Sequence, residues 1–531
     1  MDSDPVLPEH KIIKAYSEKY LPLWLQALER PAVEMQRLAA ETVAQAHIEG
    51  IPKMIQAQPA LARIVSAKET HPAPRFAAAR ALIVLEAKDA APQLFQVAQD
   101  YDGSVRQLIE PALARWKHAP AYEIWRKRLT SSDVNHRDLM LACRCLGDTG
   151  DQSALPQLVS IVHASQRLDA ERLSAARAAG QIKAAGLEGD AQKLARAGAA
   201  IIDRLCTAAL LERHTSEPAR TLLLTLAADP EPSVATAALH RLNALDFSLV
   251  LPLAEQALQN PDSGIRREGA RTYAALPTVE RIKLLGKHLD DPHPAVRAMV
   301  REDFRRLAAD AQWNGVVRQS AMEMLAAESW RGQEQAALLL GALDHKPAAP
   351  RLIQLLDSPR GEVMISTAWA LRKLALPETL PAMLKKANYL TDVRLRQRSF
   401  EELDFQGAHL FEALGRMNYK PAEPLMRRYV AKNYSMGEYS RSAAIYSLGL
   451  LHLGKPDDAL AAQIAERVTE SPVAMPPEFA RVRLAGTIAL RKMKASSQMK
   501  PLRDYLLPEP VTISKGGWFL MPLDISESAA P

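Results

Sequence analysis

Nine aromatic residues fall between positions 389 and 446: Tyr389, Phe400, Phe405, Phe411, Tyr419, Tyr429, Tyr434, Tyr439 and Tyr446. That is nine of the chain's 28 aromatics in 58 residues, about three times an even share. Beside them stand Lys385, Lys386, Arg394, Arg396 and Arg398, and Asp392 is the only acid between 385 and 398. Cations next to rings suit recognition of a protein, a phosphate or a nucleic acid, because charge speeds encounter and rings hold the complex. Lys385, Lys386, Tyr389, Arg394, Arg396, Arg398 and Tyr419 are therefore the expected partner-binding residues. The competing expectation is structural, with Phe400, Phe405 and Phe411 filling a thicker core under an inserted loop. A second basic run, Arg491, Lys492, Lys494, Lys500 and Arg503, holds no acid and is expected to be a solvated end face.

Residues for catalysis are sparse. The chain has no His-Glu-x-x-His, no Cys-x-x-Cys, no Gly-x-x-x-x-Gly-Lys and no Gly-x-Ser-x-Gly. Its 13 histidines are scattered, and His71, His293 and His345 fall where turns between helices are expected, which favours capping over metal binding. Nothing in the sequence selects Trp330 or Trp369 for a catalytic groove. No catalytic residue, cofactor or metal site is expected. Cys143 and Cys145 lie two apart on an expected helix and face different sides, while Cys206 is alone. A disulfide framework is not expected, which fits a reducing cytoplasm.

Charge and hydropathy narrow the classes further. Lys and Arg number 67 against 61 Asp and Glu, a net charge of +6. That is too mild to name nucleic acid, although stacked repeats can align arginines that are distant in sequence. The acidic start, Met1-Asp-Ser-Asp-Pro5, lacks the apolar core of a secretory signal, and no stretch approaches the 18 apolar residues of a membrane span. A monomer in the cytoplasm is expected.

The elements that must carry these residues are written as a repeat. Ala90-Ala-Pro92-Gln-Leu94, Ala154-Leu-Pro156-Gln-Leu158 and Ala348-Ala-Pro350-Arg-Leu352 are 64 and 194 residues apart, close to two and six periods of 32. Gly147 and Gly341 each precede such an Ala by seven residues, as Gly415 precedes Ala422 of a further copy, Ala422-Glu-Pro424-Leu-Met426, and all three are expected to end a helix in the left-handed conformation. The Pro suits the first turn of the following helix. A second phrase begins at Asp229, Asn260 and Asp291, each followed by Pro and successive copies 31 residues apart. It leads into an apolar series such as Val296, Val300, Phe304 and Leu307, one face of a helix.

These phrases resemble HEAT repeats, in particular the short bacterial kind found in phycobilisome-lyase-like proteins, where Asp-Pro opens a turn and Val-Arg begins a helix, as Asp291-Pro292 and Val296-Arg297 do. The resemblance implies an all-α fold, an α-solenoid (superhelix) of stacked antiparallel helix pairs with a period of about 31–32 residues. It also implies that Arg266 and Arg297 pair with an Asp, such as Asp262 or Asp291, or with a turn carbonyl. The expected divisions are an N-terminal segment and cap (1–31), regular repeats (32–384), irregular aromatic-rich repeats (385–454), final repeats (455–505) and a capping tail (506–531) with Trp518. The expected function is a non-catalytic scaffold or adaptor binding a protein partner on its concave, second-helix face. A nucleic-acid-binding solenoid is the alternative, and a lyase-like modifying enzyme a weaker one carried by the resemblance alone.

Overall fold

A computed structural model describes residues 17–67, 71–100, 103–396, 401–470 and 476–506. Arg398, Phe400, the acidic start and the expected tail with Trp518 lie outside them, as does the side chain of Arg396. Every regular element among the described residues is helical, so the all-α solenoid class holds. The chain divides into two compact units, one ending at Thr272 and one beginning at Tyr273.

In the first unit helices pack in consecutive pairs. The pairs are α1 (Leu21–Glu29) with α2 (Val33–Ile48), α3 (Gln58–Ser66) with α4 (Pro72–Val84), and α5 (Ala91–Asp100) with α6 (Gly103–Arg115). Next come α7 (Pro120–Thr130) with α8 (His136–Thr149), α9 (Leu155–His163) with α10 (Asp169–Ile182), and α11 (Glu188–Leu194) with α12 (Ile201–Leu210). Then α13 (Glu217–Ala227) packs on α14 (Pro232–Leu245), and α15 (Phe247–Leu258) leads to α16 (Ser263–Ala275). The second helices stack on one another from α2 through α14.

The second unit follows the same plan. It opens with α17 (Val279–Gly286) and α18 (Pro294–Leu307), and α19 (Ala311–Ala326) pairs with α20 (Trp330–Ala342). Further pairs are α21 (Ala349–Leu355) with α22 (Gly361–Leu374) and α23 (Leu380–Arg396) with α24 (Glu401–Arg416). The last are α25 (Glu423–Arg427) with α26 (Glu438–Leu451), and α27 (Asp458–Val468) with α28 (Ala480–Met493), followed by α29 (Met499–Leu506). Here α18, α20, α22, α24, α26 and α28 form the stack of second helices.

The two phrases act as written, with one correction. Pro92, Pro156, Pro350 and Pro424 are each the second residue of their helix, and Leu94, Leu158 and Leu352 are fully buried. Val296, Val300 and Phe304 have no exposure. Gly147, Gly341 and Gly415, however, lie inside their helices rather than ending them. The left-handed residue comes three positions later, at Gly150, Asp344 and Asn418, with φ of 72°, 49° and 52°. There the N–H groups of Asp151, His345 and Tyr419 donate back to the carbonyls of Leu146, Leu340 and Leu414 at 3.1, 2.9 and 2.9 Å, which closes each helix. The interior glycines serve packing. A Cβ there would stand 3.0 Å from Ala178 Cα, 2.9 Å from Ala370 Cα and 2.8 Å from Ser447 Cα of the next second helix.

A polar bond recurs with the same regularity. The fourth residue of α4, α6 and α10 is Arg75, Arg106 and Arg172, and each Nε donates to a carbonyl in the last turn of the preceding first helix, Val65, Ala98 and Val162, at 3.1, 3.1 and 2.9 Å. Arg266 and Arg297, fourth in α16 and α18, reach the carbonyls of Pro261 (2.7 Å) and Asp291 (2.8 Å). Arg441 and Arg483, fourth in α26 and α28, reach those of Tyr429 (3.2 Å) and Glu470 (2.9 Å). Glutamine fills the place in α2 and α20, where Gln36 donates to Leu28 and Gln333 to Ala327. Each bond satisfies a carbonyl of the first helix's last turn or of the turn just after it, and the arginine charge opposes the helix dipole.

Arg441 shows the cost of this arrangement. It is fully buried, and its guanidinium makes two 2.7 Å bonds to Glu478, which is equally buried. Burial pushes the Glu478 carboxyl up, but the Arg441 bonds, the Phe479 N–H and the charges of Arg441 and Arg467 together outweigh it and hold the group below its usual value. Glu478→Gln strands a buried cation and is expected to cost about 3–5 kcal/mol in chemical denaturation. A change of midpoint within error would mean that this pair does not hold α26 against its neighbours.

His409 on α24 gives a pH signature. Neither ring nitrogen has a hydrogen-bond partner, and burial, with the nearby Arg372 charge, pushes its pKa from 6.5 to about 3. A depressed histidine stabilises the fold above pH 6.5, and that stability drains away as pH falls toward 3, because only the unfolded chain takes up the proton. His118, His214 and His345 shift the same way, also through burial. Denaturation midpoints should therefore fall between neutral pH and pH 5, and His409→Leu should flatten that fall. An unchanged acid dependence in His409→Leu contradicts the assignment.

Candidate protein-binding groove

The second helices of the first unit form a groove where α8 and α10 meet. Arg137, Met140, Leu141 and Arg144 on α8 and Ser174, Arg177, Ala178 and Gln181 on α10 follow the same i, i+3, i+4, i+7 spacing, so each set lies on one face. With Gln107 of α6 they line a cavity of about 360 Å³. Seven residues of helix give it a length of about 10 Å. Leu141 and Ala178 are its buried floor. Its depth follows from small residues, since Gly147 lets α8 approach Ala178. Cys143 lies in the core on α8, and burial pushes its thiol up to about 12, which leaves it unreactive.

The cations at this groove differ from those in the turns. Arg137 and Arg177 are exposed and make no hydrogen bond or ion pair among the described residues. The Arg144 side chain is 66% exposed, and its nearest carboxylate, Asp148, is 3.7 Å away. The other acids near the groove are engaged: Asp138 with Arg106 and with Asn135 at 3.0 Å, and Glu171 with His136 at 2.6 Å. The groove therefore presents positive charge above an apolar floor. Sequence reasoning missed it. The signal was the repeat itself, since Gln107 and Met140, Leu141 and Ser174, and Arg144 and Arg177 are each 33 residues apart.

The residues expected to bind a partner are only partly on the surface. Lys385 and Tyr389 are exposed on α23, the first helix of its pair and so not on the second-helix face. Lys386 is buried, with Nζ 2.7 Å from Asp357 Oδ1 and 5.1 Å from the Tyr389 ring. Tyr419 is half-buried in the turn after α24. Arg394 must be corrected. Its side chain is 1% exposed, donates to Ser440 Oγ at 2.9 Å and pairs with Asp404 at 3.2 Å, so it ties α23 to α24 and α26 and does not reach the surface. The competing structural expectation is right for Phe411, which packs edge-on to Tyr429 at 4.6 Å with both rings buried. Phe405 meets Tyr439 at 4.4 Å, and Tyr434 meets Phe479 at 4.7 Å.

Arg491, Lys494, Lys500 and Arg503 are exposed, as a solvated face requires. His71 and His293 cap helices, their Nδ1 atoms accepting from the N–H groups of Ala73 (3.2 Å) and Ala295 (3.3 Å). Among the described residues no group of three or more His, Cys, Asp or Glu is placed to hold a metal ion, and no helix is long and apolar enough to cross a membrane.

No protein-family model matches the chain, and no curated protein sequence matches it. Among solved structures it is similar to importin beta in an ammonium sulfate condition, with 14% identity, a TM-score of 0.47, and coverage of 96% of this chain and 72% of that one. Yeast importin-beta (Kap95p) has 13% identity and a TM-score of 0.43 over 91% of this chain and 69% of that one. The karyopherin Kap121p bound to the SUMO protease Ulp1p has 13% identity and a TM-score of 0.36 over 92% and 68%. Likeness this remote bears on neither the partner nor the activity of this chain.

Proposed function

We propose that the chain is a non-catalytic scaffold that binds a protein partner on the face formed by its second helices. The observation that carries this reading is the α8–α10 groove, where Arg137 and Arg177 stand without internal partners above the buried floor of Leu141 and Ala178. Exposed cations speed encounter, and an apolar floor supplies the desolvated contact that holds a complex. The lining has no activated nucleophile, since Ser174 Oγ is turned to the Met140 carbonyl at 3.4 Å. Lys385 and Tyr389 on α23 are proposed as a second, outer contact. The three buried free thiols suit a reducing compartment, in keeping with a cytoplasmic scaffold.

Photo-crosslinking tests the reading. A crosslinking amino acid placed at Met140 should capture a discrete protein from native lysate, identified by mass spectrometry. The same residue at Gln93, exposed on the first helix α5, should capture none. Placement at Tyr389 reads the outer contact separately. Crosslinks from Gln93 alone contradict the second-helix reading.

A further inference from the structure

We propose that the α8–α10 groove takes an extended, acidic segment of the partner, with carboxylates on Arg137, Arg144 and Arg177 and an apolar side chain on Leu141 and Ala178. The proposal rests on the scaffold reading above and names the chemistry of its partner.

Charge complementarity comes first. Three guanidinium groups line one cavity, and among the described residues the one ion pair they make is that of Arg144 with Asp148 at 3.7 Å. Asp138 and Glu171 are already paired, and Glu110 is held by Arg128 at 2.7 and 2.8 Å. An arginine fork binds a carboxylate through two parallel bonds, which an ammonium does not match.

Size and spacing select the shape. A cavity of about 360 Å³ holds a few side chains and not a helix, whose width is about 10–12 Å. Arg137 and Arg144 are two turns apart, about 10 Å along α8, and α10 lies about 8–10 Å to the side. An extended chain advances about 3.3 Å per residue and turns alternate side chains to one face, so acids two or four positions apart, about 7 and 13 Å along the chain, bracket either separation within the reach of a long arginine side chain.

Nucleic acid fits less well. The lining has no ring on which a base can stack. The residue 33 positions beyond Arg177 is Leu210, which is buried, and the next cation, Arg213, is engaged with the Gln181 carbonyl at 2.8 Å. A backbone-tracking groove would continue its charge along the stack.

The test is fluorescence anisotropy of the full chain with a labelled nine-residue peptide of Glu, Asp and Leu. Its controls are the same peptide with Gln and Asn, and a labelled oligothymidylate. Binding of the acidic peptide that weakens with salt is expected, with little binding of the neutral peptide. The double variant Arg144→Gln, Arg177→Gln should weaken binding about tenfold or more, while Arg→Lys at both positions should retain part of it. Both variants should melt like the parent chain, since these side chains are exposed. Equal binding of the neutral peptide, unchanged affinity in the Gln variant, or a large drop in melting temperature overturns the proposal. Tighter, competing binding by the oligothymidylate reassigns the groove to nucleic acid. Crosslinking from Met140 without acidic-peptide binding leaves the scaffold reading standing and removes this one.

Discussion

A helix that ends inside a stacked array leaves carbonyls, in its last turn and in the turn just after it, that neither its own hydrogen bonds nor bulk water can satisfy. This chain answers with a long donor at the fourth residue of the following helix. Arg75, Arg106, Arg172, Arg266, Arg297, Arg441 and Arg483 do so, as do Gln36 and Gln333. A charged donor to a buried carbonyl contributes about 1.5–3 kcal/mol and also fixes where the second helix begins relative to the first. Some of these arginines extend the link to the next repeat: Arg106 pairs with Asp138 and Arg172 with Asp203. The turn is thus the part of the repeat that sets register.

Register in turn decides what the stacked second helices can present. With the turns fixed, second helices approach closely enough that Gly147, Gly341 and Gly415 leave no room for a side chain. Their outward residues then form columns one repeat apart. In most of these positions charge is already engaged in a turn, a cap or a pair. At Arg137 and Arg177 it is not, and they share a cavity with Arg144, whose ion pair with Asp148 is long at 3.7 Å. The same residue type therefore has two roles, separated by burial: an engaged arginine holds the fold, and an exposed one without a partner is available to a ligand.

That division explains what was legible in the sequence. Proline at the second helical position, the Asp-Pro turn and the series from Val296 to Leu307 depend on local backbone rules and on one helix face, and they read correctly. The histidine caps at His71 and His293 are local for the same reason. The glycines misread because left-handed closure and tight packing both select glycine. Asp344 and Asn418 supply the left-handed turn instead, since Asp and Asn tolerate it better than most side chains. Arg394 misread because nothing near it in sequence announces Ser440, a partner 46 residues away. The aromatics between 389 and 446 misread in part because rings serve cores and interfaces alike. The groove went unseen because a pair such as Arg144 and Arg177 is meaningful only after helix phase and repeat length are both known.

The central claim is that the arginines fall into an engaged set and an exposed set, and that the exposed set at α8 and α10 is the binding surface. Arginine-selective dicarbonyl modification of the native full chain, read residue by residue by mass spectrometry, measures it directly. Arg137, Arg144 and Arg177 should react rapidly and be protected when the acidic peptide is present. Arg172, Arg394 and Arg441 should react only after unfolding. Buried and groove arginines reacting at one rate, or peptide protection falling elsewhere, would contradict the account.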